Sequence, residues 1–343
     1  MGIGNKQLNK AGNIIRNGTE EEQERAIITL NEWRANHMLP LRSIRAMVDR
    51  RLNKLVINST IVQRLKRMSS IISKIKRFPD MAVSRMQDVG GIRIIVDNIS
   101  DARTVHKVLT TNSSHEVVIP AKDYIEKPKS DGYRGIHQVF RYQSDNDDIN
   151  NMRIEVQIRT KLQHAWATSV ETLGVIEKIS YKTGEGTSEK RSFFILASAL
   201  LALEENSNVP EEYEGVSKEN LIRELKIIEG RSHILTKLKG LSALNPELRL
   251  QGSGEIFYVL LLSAGENNDF QIKVIPFDDE EQAVIHYDSL ERLTRGDPVK
   301  SVVLVKSQNL SELKKAYPNY FLDAALFVDT ITGIIKQEVP KSG

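Results

Sequence analysis

The chain has 343 residues, 40% hydrophobic and 27% charged, a length and composition that suit two modest globular domains. It contains no cysteine, which excludes disulfides, thiolate metal sites and a cysteine nucleophile. The net charge of +3 hides a division: residues 1–180 carry 29 Lys+Arg against 20 Asp+Glu, which leaves 19 against 25 of the chain's 48 and 45 for the remainder.

The first residues, MGIGNKQLNKAG, lack an apolar leader core, and no apolar run approaches the roughly 20 residues that a bilayer requires, so a soluble, cytoplasmic protein is expected. Residues 20–57 predict two helices broken at Pro40, with Glu20, Glu21 and Glu22 in the opening turn where the helix dipole favours acids. Between Arg42 and Arg77 the only acid is Asp49, which concentrates positive potential where phosphates or nucleic acid could be held. TIVQRLKRM reads as a short strand. SSIISKIKRF then restarts a helix, with Ser69 or Ser70 as its N-cap and Pro79 just beyond its end. GIRIIVDN and HEVVIP predict strands joined by the helix SDARTVHKVLT, and RGIHQVFRYQ and MRIEVQIRT add two more across the turn-rich SDNDDINN. A helix over 161–173 places Leu162, Trp166, Val170 and Leu173 on one face. Residues 60–180 therefore describe an α/β domain around a mixed sheet of about four or five strands.

TGEGTSE is the best linker candidate, and residues 188–206 and 217–240 predict two further helices. From Gly252 the segments EIFYVLLLS, FQIKVIPF, AVIHYDSLERL and KSVVLVKS suggest a small β-rich unit, followed by a helix, a break at Pro318 and a closing helix. The domain division this implies is 1–180, 181–250 and 251–343.

Four stretches look chemical. On a strand, side chains two apart share a face, so Arg64 and Lys66 point together toward the mouth of the next helix, and Lys74 lies one turn beyond Ser70. This is either an anion cradle or a basic surface helix. DVGGIRI sets Asp88 before two glycines and Arg93 beyond them, which suits a Mg²⁺ ligand beside closely approaching backbone, or a simple turn. In MRIEVQIRT, alternation places Glu155, Gln157 and Arg159 on one face and Ile154, Val156 and Ile158 on the other. A second carboxylate beside cationic clusters is what phosphoryl transfer requires. In KPKSDGYRGIHQVF, Gly132 and Gly135 let a loop turn around Tyr133, whose ring offers a stacking surface for a base, while Lys129, Arg134 and His137 could meet phosphates.

Taken in order, RLKRMSSIISK, DVGGIR, PAKDYIEKPKSDGYRGIH and EVQIRT resemble the motifs of the RelA/SpoT-type pyrophosphokinases. The resemblance implies a nucleotidyltransferase-like mixed β-sheet flanked by helices. It implies that Arg64 and Arg93 sandwich the adenine of ATP, and that Lys66, Ser70, Lys74 and Arg77 hold its triphosphate. Asp88 and Glu155 would be the catalytic, Mg²⁺-binding carboxylates, and Glu155 would help to deprotonate the attacking hydroxyl. Tyr133, Lys129, His137, Gln157 and Arg159 would face the acceptor. The reaction would move the β,γ-pyrophosphate of ATP to a ribose 3′-hydroxyl.

NKQLNKAG, LQHAWATSVET and AYPNYFLD are similar to a narrower group, the fused toxin–antitoxin members called CapRel. That resemblance implies transfer to the 3′-CCA end of tRNA, which blocks translation. It also implies a helical linker and a C-terminal pseudo-zinc-finger that restrains the enzyme until a phage major capsid protein or similar trigger binds, with neither membrane nor DNA as partner. Tyr317 and Tyr320, flanking Pro318, are the candidate autoinhibitory pair, their rings competing for the arginine-lined purine pocket. Two alternatives stand beside this reading: a (p)ppGpp synthetase using GDP or GTP as acceptor, and a regulator or RNA-binding module without catalysis.

Overall fold

The computed structural model describes residues 3–177, 179, 181, 185–242, 256–264, 270–294, 300–307 and 324–336. Helices α1 (Asn5–Asn17), α2 (Glu20–Ala35) and α3 (Met38–Leu52) come first. A capping box between Thr19 and Glu22 starts α2. The break expected at Pro40 falls instead at Asn36 and His37, and Pro40 lies in the first turn of α3, where its missing N–H costs no intrahelical bond.

Strand β1 (Ser59–Leu65), helix α4 (Met68–Arg77), strand β2 (Gly90–Val96), helix α5 (Ile99–Thr110) and strands β3 (Glu116–Asp123), β4 (Ile136–Arg141) and β5 (Arg153–Thr160) build a five-stranded sheet in the order β1-β2-β5-β4-β3. The β2/β5 pair is parallel and the other pairs are antiparallel, so the sheet is mixed, as expected. Its two faces divide by the alternation of each strand. Ile92, Ile94 and Val96, Ile154, Val156 and Ile158, and Ile136 and Phe140 are buried against α3 and α5. The opposite face carries Arg64, Gly91, Arg93, Glu155, Gln157, Arg159 and His137, because residues directly paired across strands share a side.

Neither Ser69 nor Ser70 is the N-cap of α4. That position is Arg67, with no side-chain cap of its own, and the first helical amide, Met68 N–H, donates to a Glu291 carboxylate oxygen at 2.6 Å. An acid from far along the chain thus satisfies an amide that helix geometry leaves free.

Beyond the sheet, helices α6 (Lys161–Glu177), α7 (Ser188–Glu204), α8 (Lys218–Ser232) and α9 (Ile234–Ser242) surround an apolar core that also receives the last described helix, α11 (Ala325–Lys336). The single helix expected over 217–240 is interrupted at His233, whose left-handed φ of 51° ends α8. A second sheet, β6 (Ile256–Ala264), β7 (Phe270–Phe277) and β8 (Ser301–Ser307), is antiparallel in the order β7-β6-β8. The segment AVIHYDSLERL, read above as part of the β-rich unit, is helical: it lies in α10 (Glu280–Leu293), started by Asp279, whose side chain caps Gln282 N–H. Local capping and i, i+4 spacing outweigh the β-branched residues there. Tyr317, Pro318 and Tyr320 lie outside the described residues.

The C-terminal unit touches the first half of the chain through α10. Arg34 of α2, only 4% exposed, pairs with Asp288 at 2.8 Å and Glu291 at 2.7 Å and lies over the Tyr287 ring at 5.3 Å. Arg42 pairs with Glu280.

Candidate active site

Val62, Arg64, Lys66, Asp88, Gly91, Ile92, Arg93, Glu155 and Gln157 line a cleft on the polar face of the five-stranded sheet. Pairing explains the assembly: Gly91 of β2 stands between Arg64 of β1 and Glu155 of β5, and Arg93 stands between Val62 and Gln157. Nothing comes closer than 3.9 Å to where a Cβ on Gly91 would sit, so its missing side chain leaves the cleft floor open between the basic and acidic sides.

The two carboxylates face this cleft in different company. Asp88 accepts from Lys66 at 2.7 Å and from Lys74 at 2.8 Å. Burial would raise its pKa, but the two ammonium groups hold it well below the usual carboxylate range. Burial in turn pulls Lys66 down, with Asp88 opposing. Glu155 is also buried, and hydrogen bonds from His137 and Gln157 overcome that burial and keep it ionised.

These bonds belong to a continuous network. Arg159 donates through Nε to the Tyr133 hydroxyl at 3.0 Å, and that hydroxyl lies 2.5 Å from His137 Nε2. His137 Nδ1 reaches Glu155 at 3.0 Å, Gln157 donates to the other Glu155 oxygen at 2.7 Å, and Arg159 Nη2 donates to Gln157 at 3.1 Å, closing the ring. Burial lowers the pKa of His137, so it is neutral at pH 7. Since Glu155 can only accept, Nδ1 carries the proton and Nε2 accepts from Tyr133.

Of the expected acceptor-side residues, Tyr133, His137, Gln157 and Arg159 are thus brought together, and Lys129 joins them with its ammonium 5.0 Å from the Tyr133 ring centroid and 4.6 Å from that of Tyr124. Arg159 also lies over the Tyr133 ring at 4.9 Å. Arg134 turns away. It is 2% exposed, pairs with Glu205, the C-cap of α7, at 2.8 Å and anchors the loop to the helical core, so it cannot meet a phosphate as the sequence suggested. Gly132 has φ +88°, and a Cβ there would come within 3.1 Å of Ser198 and Trp166, so this turn requires glycine.

On the donor side, Arg64, Lys66 and Arg93 line the cleft and Lys74 reaches Asp88. Ser70 lies in the first turn of α4. Arg77 lies in its last turn, exposed and over the Phe78 ring at 4.8 Å, apart from the cleft-lining residues. Tyr124, which packs edge-on against both Tyr133 and His137, escaped the sequence reading although it sits in the same motif.

Two ionised carboxylates at one cleft are a hard oxygen donor set that fits Mg²⁺ completed by phosphate oxygens and water; among the described residues no group of three or more acidic or histidine ligands occurs.

Residues 63–186 match the family model described as a region found in RelA / SpoT proteins. GTP pyrophosphokinase YjbM of Bacillus subtilis is 30% identical over 133 residues, which cover 38% of this chain and 60% of that protein. GTP pyrophosphokinase YwaC of the same organism is 32% identical over 111 residues, covering 31% and 52%. The chain thus spans 52% to 60% of the length of these two curated relatives. The crystal structure of small alarmone synthetase 2 from Bacillus subtilis aligns with 55% of this chain and 96% of its own, at 23% identity and a TM-score of 0.41. No described helix is long and apolar enough to cross a membrane. With their four motifs in order along the sequence, residues 63–186 are similar to the region found in RelA / SpoT proteins.

Proposed function

We propose that the protein transfers the β,γ-pyrophosphate of ATP to the 3′-hydroxyl of the tRNA CCA end. One observation carries the chemistry: Asp88 and Glu155 are both ionised at a single cleft, with Arg64 and Arg93 on one side and Lys66 and Lys74 beside Asp88. Arg64 and Arg93, one row apart on neighbouring strands, offer two guanidinium planes to the adenine. Lys66 and Lys74 exchange Asp88 for the triphosphate, and Ser70 lies in the first turn of the helix that carries Lys74, whereas Arg77, in its last turn, stands apart from the cleft. Asp88 and Glu155 would hold Mg²⁺, which when bound neutralises the charge that develops on the transferred group. Tyr133 and Lys129 orient the acceptor base, and His137, Gln157 and Arg159 fix Glu155. The acceptor oxygen bonds to the β-phosphorus, the bond from that phosphorus to the α-phosphoryl oxygen breaks, and AMP leaves. Glu155, at the cleft beside the proposed position of that hydroxyl, would also help to take its proton as the new bond forms.

The RNA acceptor is supported by the excess of 29 basic over 20 acidic residues in positions 1–180, since phosphate contacts supply most sequence-independent affinity for nucleic acid. A second reading, GDP or GTP as acceptor, is favoured by the pyrophosphokinase names of the relatives. Restraint by the C-terminal unit is part of the proposal, and the seating of α10 beside Arg64 supports it: Arg64 also lines the pocket bounded by Arg34, Phe257 and Tyr287. A phage capsid protein is the proposed trigger. The test is incubation of the chain with γ-labelled ATP and either tRNA or GDP, with and without a capsid protein. Label on tRNA supports the first reading and label on the nucleotide the second. No transfer to either overturns both.

A further inference from the structure

The polar face of the sheet continues past the carboxylates. Arg153 precedes Glu155 by two residues on β5, so it shares that face, about 7 Å further along the strand. Directly opposite it on β4 is Arg141. Arg85, exposed at the end of the 3-10 turn Val83–Arg85, is the third cation, and Arg153 Nη1 lies 3.5 Å from the carbonyl of the neighbouring Ser84. The nearby acid is Glu116, which bonds Arg141 at 2.7 Å; with 36% and 45% of the two side chains exposed, solvent screens that pair. Burial, then Arg141 and Arg85, push the Arg153 guanidinium down, with Glu116 opposing, so the local field is positive. The donor cations Lys66 and Lys74 lie beside Asp88 toward the β1 edge of the same face, whereas Arg153 and Arg141 are on β5 and β4. The proposed transfer chemistry leaves these three arginines unused.

Along β4 and β5 the polar side chains therefore run in a fixed order: Arg159 and His137 with Tyr133, then Glu155, then Arg153 and Arg141. A nucleotide with its base at Tyr133 and its 3′-hydroxyl at Glu155 carries a 5′-phosphate one ribose away from that hydroxyl. We propose that Arg141 and Arg153, with Arg85, form a subsite for the 5′-phosphate of the acceptor nucleotide. This rests on the pyrophosphate-transfer reading above. The same group is present as the last phosphodiester of an RNA and as the phosphates of a free nucleotide.

Full-length protein, with and without a capsid protein, is given ATP and four acceptors: GDP, guanosine, a CCA-ended RNA, and the same RNA with an uncharged methylphosphonate as its last linkage. Wild type should prefer the charged member of whichever pair it uses by about 10- to 100-fold, the range of one or two hydrogen bonds to a charged group. Arg141→Ala and Arg153→Ala should reduce that preference to below about threefold, Arg153→Lys should restore part of it, and the KM for ATP should stay within about twofold. The exposed Arg85→Ala supplies a variant with little folding risk and should lose part of the preference. Preference undiminished in the alanine variants, or a KM for ATP that rises in step, overturns the subsite. If wild type transfers to no acceptor, the transfer reading fails. Equilibrium binding of GDP against guanosine, and of the two RNAs, then decides the subsite: tighter binding of the charged member that the variants lose supports it, and equal binding overturns it.

Discussion

The hydroxyl of Tyr133 lies 2.5 Å from Nε2 of His137, and the other nitrogen of that ring lies 3.0 Å from Glu155. A tyrosine expected to stack on a base therefore also sets the tautomer of the histidine that supports a carboxylate. Tyr133→Phe keeps the ring and removes the link, leaving Arg159 Nε and His137 Nε2 with one partner fewer inside a buried network. We expect pyrophosphate transfer to fall about 10- to 100-fold, with a loss of stability of about 1 to 3 kcal/mol. Steady-state kinetics and thermal melting measure both, and an unchanged rate would show that only the ring matters.

Asp88 pairs with two lysines and offsets part of their charge before any nucleotide arrives. Asp88→Asn frees their charge, so binding of ATP without Mg²⁺ should tighten while turnover with Mg²⁺ falls at least 100-fold. Calorimetric titration with a non-hydrolysable ATP analogue checks the first half and a transfer assay the second. Weaker metal-free binding would contradict the assignment of Lys66 and Lys74 to the triphosphate.

His37 caps no helix through its side chain; its ring donates to the Trp33 carbonyl at 2.9 Å and is buried. Burial pushes its pKa from about 6.5 down to about 4, against that hydrogen bond. Because the folded state refuses a proton that the unfolded chain accepts, the contribution is complete above pH 6.5 and is lost as pH falls from 6.5 to 4. It amounts to about 3 kcal/mol over that window. Denaturant titrations should show that His37→Gln, although less stable at pH 7, loses less stability than wild type between pH 7 and pH 4. Parallel curves would refute this.

Arg34 joins α2 to α10. Glu291, 12% exposed and 2.7 Å away, is its stronger partner, since burial pushes the Asp288 carboxyl up while Arg34 pulls it down. Arg34→Ala should weaken docking of α10 by about 3 to 5 kcal/mol by stranding those acids, and Arg34→Met should cost less than Arg34→Ala only when both acids are also neutralised. Hydrogen exchange over residues 280–293 reads the effect. Unaltered protection in Arg34→Ala would mean that α10 is held by other contacts.

Alternation along MRIEVQIRT determined by itself which of its side chains reach the catalytic face, because strand geometry leaves no other choice. The order of basic residues, glycines and acids located the cleft for the same local reason, and the motif resemblance supplied the residue roles. Arg153 obeyed that alternation too and was overlooked because a charged residue at a strand start reads as solvated. What only the tertiary structure decided are contacts whose partners are remote in sequence. Arg134, beside the stacking tyrosine, is claimed by Glu205 71 residues later. The opening amide of α4 is capped by Glu291, 223 residues away, so the serines suited to that task by sequence do not perform it. Helix and strand preferences act over a few residues and can be read along the chain, whereas the partner of a buried charge is chosen by which distant surfaces fold together.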